Sequence, residues 1–543
     1  MVNRPPARRS RRIGTLALLA ALASLLLTLA APAPAAAATR ACEKRTNNTY
    51  AKLLECVTLE GVRAHQAAFQ AIADANGGTR AAATPGYDAS VDYVVDKLED
   101  AGYSVELHLF DFTVAQPIQQ HTPAPPTTHA VGGVTGSALG TVTAQVFPVD
   151  LALAPPRAST SGCQGAFTEA AVGAPLTADP GGPDDFAGFP TTPAIALIQR
   201  GGCSFALKVA NAQTAGADAV ILFNQGNVTV PPTDRTSTLT NITAVPPPGS
   251  AFTTISIPVV GTSFAAGESL ARPGSTATVA VVNDPQANVI AEMAGKNEDN
   301  VVMAGAHLDS VPAGPGINDN GSGSAAILET ALMMAKVKPL WNTIRFAWWG
   351  GEESGLVGSN AYVADLSQAE RDRIALYLNY DMIGSPNYVQ MVYDADESTF
   401  EAPVVVPPGS TAIEDLYESW YTSIGEPYDD AEFSARSDYQ AFILAGIPSG
   451  GLFTGAEEIK TAEQAAIWGG TVGAQFDPCY HLACDTFANN SDHALEVNSD
   501  LVAYAQLTFA FSTEAVNGVP GKSVPGPSAP LPAPAGPEGT FTP

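Results

Sequence analysis

Apolar positions along the chain follow two rhythms, and the change between them divides it. In YDASVDYVVDKLEDAGY, Val91, Val94, Val95 and Leu98 recur at helical spacing and predict a helix. SVELHLFDF follows as a strand, and HTPAPPTTHA, rich in Pro and Thr, reads as a connector. From about Ala130 to Asp284 the apolar runs are short and Pro, Gly and Thr are frequent. That stretch predicts many short strands and one helix, FALKVANAQTAGA, leading into the strand DAVILFN. Beyond it, NVIAEMAG, NVVMAGAHLDS, TIRFAWWGGEE and IALYLNYDMIG are apolar strands separated by helical segments such as SAAILETALMMAK, the rhythm of an α/β sandwich. The last stretch, PGKSVPGPSAPLPAPAGPEGTFTP, has no periodicity and is expected to be disordered.

These shifts set the expected organisation. Residues 1–38 carry Arg4, Arg8, Arg9, Arg11 and Arg12, then an apolar run from Leu16 to Ala30, then small residues ending near Ala38. This is the pattern of a secretory signal, and the apolar run is short for a membrane span. Residues 39–129 are expected to begin an α/β domain, 130–285 to form a separate mainly β insertion, 286–516 to complete the α/β domain, and 517–543 to form the tail.

With 543 residues, 45% of them hydrophobic, and a mean hydropathy of +0.07, the chain can bury at least two cores. Its formal charge is −28, and loss of the five leader arginines makes the mature chain more acidic still, which excludes nucleic acid as a partner. The six cysteines fall into three neighbouring pairs: Cys42 with Cys56, Cys163 with Cys203, and Cys479 with Cys484. Export favours disulfides, although other pairings remain open; a thiolate zinc site lacks the CxxC spacing it would need.

Chemistry gathers where polar residues interrupt strand ends. GAHLDSVPAGPGINDNGSG, residues 305–323, places His307, Asp309 and Asp319 after one apolar strand. Glu352 and Glu353 follow the next, Asp381 a third, and His481 lies in a later Cys-flanked loop. In open α/β sheets the carboxyl ends of strands form the crevice that binds ligands, so these residues can converge. A lone strand-end acid is ordinarily a solvated loop residue; the coincidence of several such places is the signal. Two imidazoles and several carboxylates suit zinc, and a carboxylate bridging two ions suits a pair of metals about 3.5 to 4 Å apart.

GAHLDS, INDNGSG, FAWWGGEESGLVGS, LNYDMIG, ARSDYQAF, GIPSGGLFTGAEEIKT and CYHLACD, in that order from Val301 to Asp485, resemble the motifs of the secreted di-zinc aminopeptidases, a family that includes bacterial leucyl aminopeptidases and aminopeptidase Y. IALIQRGGCSFALKVANAQTAGADAVILFNQ resembles a protease-associated domain, which occurs within several peptidases. The resemblance implies a mixed, mostly parallel sheet flanked by helices, with an inserted mainly β protease-associated domain. It implies two zinc ions per chain, one held by His307 and Asp381, the other by Glu353 and His481, with Asp319 bridging both. Glu352 would be the general base, the Asp309 carboxylate would hydrogen-bond the His307 ring, and Tyr480 would stabilise the oxyanion. Arg436 matches a substrate-contacting arginine, a cis peptide is implied between Asp319 and Asn320, and a Cys479–Cys484 disulfide would stiffen the loop of His481. The implied activity is removal of N-terminal residues from peptides, with a preference for large apolar first residues. A glutamate carboxypeptidase and a non-catalytic receptor of the same architecture are the alternatives, with a glutaminyl cyclase weakened by the full ligand set. Peptides are the expected partners of a monomeric, secreted chain with no stable membrane anchor. A calcium site is not derivable from the sequence.

Overall fold

In the computed structural model of the chain, residues 41–538 are described, apart from 43, 168–182, 228–234, 241, 247–249 and 251. The expected secretory signal lies outside the described residues. Among those described, no helix is long and apolar enough to cross a membrane.

An eight-stranded mixed sheet organises the α/β domain. Its strands run in the order Ser104–Phe110, Gln286–Met293, Asn342–Trp349, Asn297–His307, Ile374–Tyr380, Ser449–Phe453, Met391–Tyr393 and Asp429–Ala431. The four central strands are mutually parallel. Along the strand Asn297–His307, Val302, Ala304 and Ala306 enter one hydrophobic core while Met303 enters another on the opposite face. A parallel strand covered on both faces needs such an unbroken apolar run. The helix Gly321–Met334 is buried over most of its surface and packs against helices Leu59–Ala75 and Asp492–Phe511. The helix Pro85–Ala101 forms as its spacing predicts, with Val91, Val94 and Leu98 buried and Val95 only partly so.

Register brings the strand ends level. His307 pairs with Trp349, three residues before Glu352, and Gly305 pairs with Asn379, so His307 and Asp381 stand equally far along neighbouring strands.

The inserted domain is a nine-stranded sheet with hydrophobic clusters on both faces, helix Phe205–Thr214 and a disulfide joining Cys163 to Cys203. The sheet starts earlier than residue 130: strand Thr113–Thr122 pairs antiparallel with Thr276–Asn283. The expected connector HTPAPPTTHA is a hairpin, its Thr127–His129 arm pairing with Ile118–Gln120. Polar strands carrying Gln, Thr and His lack the apolar alternation that marks a strand, and the prolines sit in the turn.

Among the described residues the tail has no helix or strand after Asn517, in keeping with its lack of periodicity. It is nonetheless seated on the α/β domain: Val524 joins the main core, Leu531 packs against it, and Gly536 N donates to Tyr428 Oη. Two apolar side chains and a few hydrogen bonds spread over twenty residues leave no pattern for a window of sequence to detect.

Candidate metal centre

Each functional side chain is carried by a turn that the local sequence shapes. His307 ends its strand, and its ring is enclosed, 1% exposed. Its Nδ1 lies 3.1 Å from the backbone carbonyl of Asp309, whereas the Asp309 carboxylate is 3.7 Å away. The expected carboxylate–imidazole hydrogen bond is therefore replaced by a carbonyl, which fixes the same ring face and turns Nε2 outward. Asp309 Oδ1 instead accepts the backbone N–H of Glu352, tying two strand ends together. Asp319 precedes helix Gly321–Met334, and the Asp319–Asn320 peptide is cis, as the resemblance implies.

Glu352 and Glu353 open a short 3-10 turn after the strand Asn342–Trp349. Two glycines make that turn. A Cβ on Gly350 would meet the Tyr87 hydroxyl at 2.1 Å, and Gly351 has φ +68°, which disfavours any side chain. His481 follows Cys479, which is bonded to Cys484, and itself adopts φ +56°. The Cys42–Cys56 disulfide also forms, and no cysteine is free.

These turns bring the acids and imidazoles together in two groups that share one residue. His307 Nε2 lies 3.3 Å from Asp319 Oδ1 and 3.2 Å from Asp381 Oδ1. His481 Nε2 lies 3.2 Å from Asp319 Oδ2 and 3.0 Å from Glu353 Oε2. Asp319 thus presents one oxygen to each group, and in each the ligand atoms are within 4.8 Å of one another. Glu352 belongs to neither group, its Oε2 standing 3.9 Å from His307 Nε2.

The electrostatics show what is missing from such a set. Burial pushes Glu352 well above the ordinary carboxyl range and Glu353 to about 7, each helped by neighbouring carboxylates. Burial likewise lifts Asp309 to about 6 and Asp438 to about 7. Burial alone would lower the His481 imidazole, but hydrogen bonds to Asp319 and Glu353 outweigh it and raise it to about 10. The same balance raises His307 through Asp381 and Glu352, and the two imidazoles hold Asp319 below its usual range against burial. Buried carboxylates this numerous need cations, and two protonated histidines are too few. Glu353 Oε1 is buried with no hydrogen-bond partner, an orphan suited to a metal. The donor set is nitrogen and oxygen only, so the residues present fit a pair of zinc-class ions.

Four supporting residues are not among those the sequence singles out. Arg80 is fully buried and donates to the carbonyls of Leu308, Pro315 and Gly316, clamping the loop from His307 to Asp319. Asp485, the last residue of CYHLACD, accepts the backbone N–H groups of Asn318 and Asp319 at 2.8 and 3.0 Å. Ser437 donates to Asp381 Oδ2 at 2.6 Å. Asp438 is 1% exposed beside them. Asp485 and Ser437 sit inside motifs that point to the site; Arg80 follows no motif and could only be found by its burial.

The site opens into a cavity of about 790 Å³, walled by Met391, Tyr393, Phe400, Tyr439, Phe453 and Phe476. Tyr480 stacks on His481 with ring centroids 3.8 Å apart, and burial pushes its phenol up, so it stays a donor. Arg436 donates to Tyr480 Oη at 3.2 Å and pairs with Glu457 at 2.8 Å.

Residues 288–506 match the model of peptidase family M28, and 146–270 match the PA domain. The chain is 44% identical over 478 residues to an aminopeptidase of Pseudomonas aeruginosa, covering 86% of this chain and 83% of that one. The chain belongs to peptidase family M28. It is also 44% identical over 334 residues to a probable leucine aminopeptidase 2 of Aspergillus fumigatus, covering 59% and 63% of the two chains. Among solved structures it is similar to a zinc aminopeptidase from Bacillus subtilis, at 25% identity and TM-score 0.56, over 82% of this chain and 94% of that one.

Proposed function

We propose that this chain is a secreted di-zinc aminopeptidase that releases large apolar residues from peptide N-termini. The observation that carries the reading is Asp319, whose two oxygens face two separate histidine–carboxylate groups at the mouth of one cavity. His307 and Asp381 would hold one zinc, Glu353 and His481 the other, and Asp319 both. Two zinc ions so held supply Lewis acidity toward a carbonyl and lower the pKa of water.

The chain's own groups do the rest. Glu352, outside both ligand groups, takes the proton of the attacking water and returns it to the leaving amine. Tyr480, kept protonated and held by Arg436, donates to the carbonyl oxygen as negative charge develops there. The surplus of carboxylates favours a protonated α-amine, which an internal peptide bond lacks. The apolar wall of Met391, Tyr393, Phe400 and Phe453 receives the first side chain. The printed names of relatives, aminopeptidase and leucine aminopeptidase, agree with this reading. Three disulfides support an oxidising destination outside the cell.

Among the described residues lining the cavity, Arg436 is the only Lys or Arg, and Glu457 already engages it. A carboxypeptidase needs a free cation for the terminal carboxylate, so the alternative is disfavoured. The test uses one leucine-led peptide with a free, an acetylated or an amidated end. Cleavage should survive C-terminal amidation and stop on N-terminal acetylation. The reverse pattern would establish a carboxypeptidase.

A further inference from the structure

A second set of acids, most of them buried, belongs to neither ligand group of the metal centre. Glu414 and Glu418 stand one turn apart on the helix Ser410–Ile424, Asp430 lies on the strand Asp429–Ala431, and Asp394 and Asp396 follow the strand Met391–Tyr393. Ligand oxygens of Glu414, Glu418 and Asp430 fall within 4.8 Å of one another, as do those of Asp394, Asp396 and Glu414. Asp394, Glu414 and Asp430 are 1%, 3% and 3% exposed, and Glu418 is 8% exposed.

Hydrogen bonds account for part of this set and leave one buried atom without a partner. Asp394 accepts backbone N–H groups from Ser398, Thr399 and Phe400, and Glu414 accepts that of Asp396. Asp430 Oδ2 accepts the hydroxyls of Ser398 and Thr399. Its Oδ1 is buried with no partner. A carboxylate oxygen sealed from water and bonded to nothing, in a residue clustered with two other acids, points to a cation. The charges acting most strongly on Glu414 and Glu418 are those of other carboxylates, so repulsion in the cluster is uncompensated.

We propose that Glu414, Glu418 and Asp430, with Asp394 and Asp396 sharing Glu414, bind a hard divalent cation of the calcium class. With oxygen ligands alone and no imidazole or thiolate, the set selects against zinc. Ligands drawn from a helix, a strand and a loop suit calcium, which accepts irregular shells of about six to eight oxygens, over magnesium, which demands an octahedron. Burial and repulsion from neighbouring carboxylates hold Glu414 up at about 9 and Glu418 at about 8, a charging cost that a dication offsets. The ion ties the loop of Asp394 to Phe400 to the helix, and Tyr393, Phe400 and Asp430 belong to the cavity wall. Because Oδ1 of Asp430 is sealed, a cationic substrate side chain does not reach it.

The test uses the zinc-loaded full chain in calcium-free buffer, with calcium chloride as ligand and terbium as a luminescent probe excited through nearby tyrosines. The expected result is about one calcium per chain, a Tm that rises with the logarithm of calcium concentration, and terbium emission that calcium displaces. The double variant Glu418→Gln/Asp430→Asn should keep its zinc, lose all three responses, and melt at or above wild type in calcium-free buffer, because neutral side chains end the repulsion. The single variant Glu418→Gln should weaken calcium binding by at least about tenfold, since affinity follows ligand charge. Wild-type protein that binds no calcium at millimolar concentration, or variants that bind it as wild type does, would overturn the proposal. These readouts do not depend on the peptidase reaction.

Discussion

Glu352 and Glu353 are adjacent in sequence, and the proposed function gives them opposite roles. Glu353 lies 3.0 Å from His481 Nε2 within a ligand group, while Glu352 stands outside both groups. Gln keeps the shape of Glu but takes no proton at neutral pH. Glu352→Gln should therefore lower kcat by about 10² to 10⁴ while both zinc ions stay bound. Glu353→Gln should release zinc from one centre, because an amide oxygen is a poorer ligand for a dication than a carboxylate. Metal content measured beside kcat separates the two, and zinc loss in the Glu352 variant would reverse the assignment. The identity of these acids is legible in the sequence because each follows an apolar strand directly. Their supports are not: Arg80 acts through three carbonyls 228 to 236 positions away, and a lone arginine among alanines and threonines carries no periodic signal. The role expected for the Asp309 carboxylate likewise passes to its carbonyl, since sequence fixes which residue is near the ring and not which of its oxygens.

At the level of elements, the loop that carries His481 and the helix that carries Glu414 each lead to an expectation. The Cys479–Cys484 disulfide closes a five-residue span around His481, whose backbone is held at φ +56°. Replacing both cysteines by serine should loosen that geometry and weaken zinc at the Glu353–His481 centre by about tenfold or more, the effect of losing a support behind a ligand. Competition with a zinc-binding dye measures it, and unchanged affinity would show that the disulfide does not position the ligand. On helix Ser410–Ile424, Glu414 and Glu418 are raised to about 9 and about 8 by burial and by neighbouring carboxylates. Unfolded glutamates titrate near ~4.3, so in calcium-free buffer the folded state binds the extra protons. Their stabilising contribution is full below about pH 4, falls progressively above that, and is lost once pH has risen through about 8 to 9. The Tm of calcium-free protein should fall as pH rises from about 4 to about 9 and level off above, and Glu414→Gln/Glu418→Gln should flatten the fall. A profile identical in the variant would remove these glutamates as its cause. The strands and helices of the α/β domain are readable because their apolar runs are long. The hairpin Thr113–His129 is not, since its strands are polar on the face that carries Gln116 and Gln119 and its pairing partner lies over 150 residues away.

For the whole molecule, the inserted domain leaves and returns at one place. Phe110 pairs with Gln286 at the sheet edge, so the two ends of the insertion are neighbours and a short linker can join them. The insertion supplies no member of either ligand group. Excising it from Thr113 to Asn283 should leave hydrolysis of small amino-acid anilides largely intact and change turnover of longer peptides, the behaviour of an access module. Equal loss on both substrates by folded, zinc-loaded protein would show that the insertion supports the site itself. The architecture as a whole rests on one arrangement: a buried aspartate with each oxygen turned to a different histidine–carboxylate group. Zinc content of dialysed, fully active protein, measured by elemental analysis against chain concentration, tests it most directly. The account predicts about two zinc ions per chain, bound with loss of activity on chelation and its return on adding zinc. Full activity with one ion per chain, or with none, would contradict it.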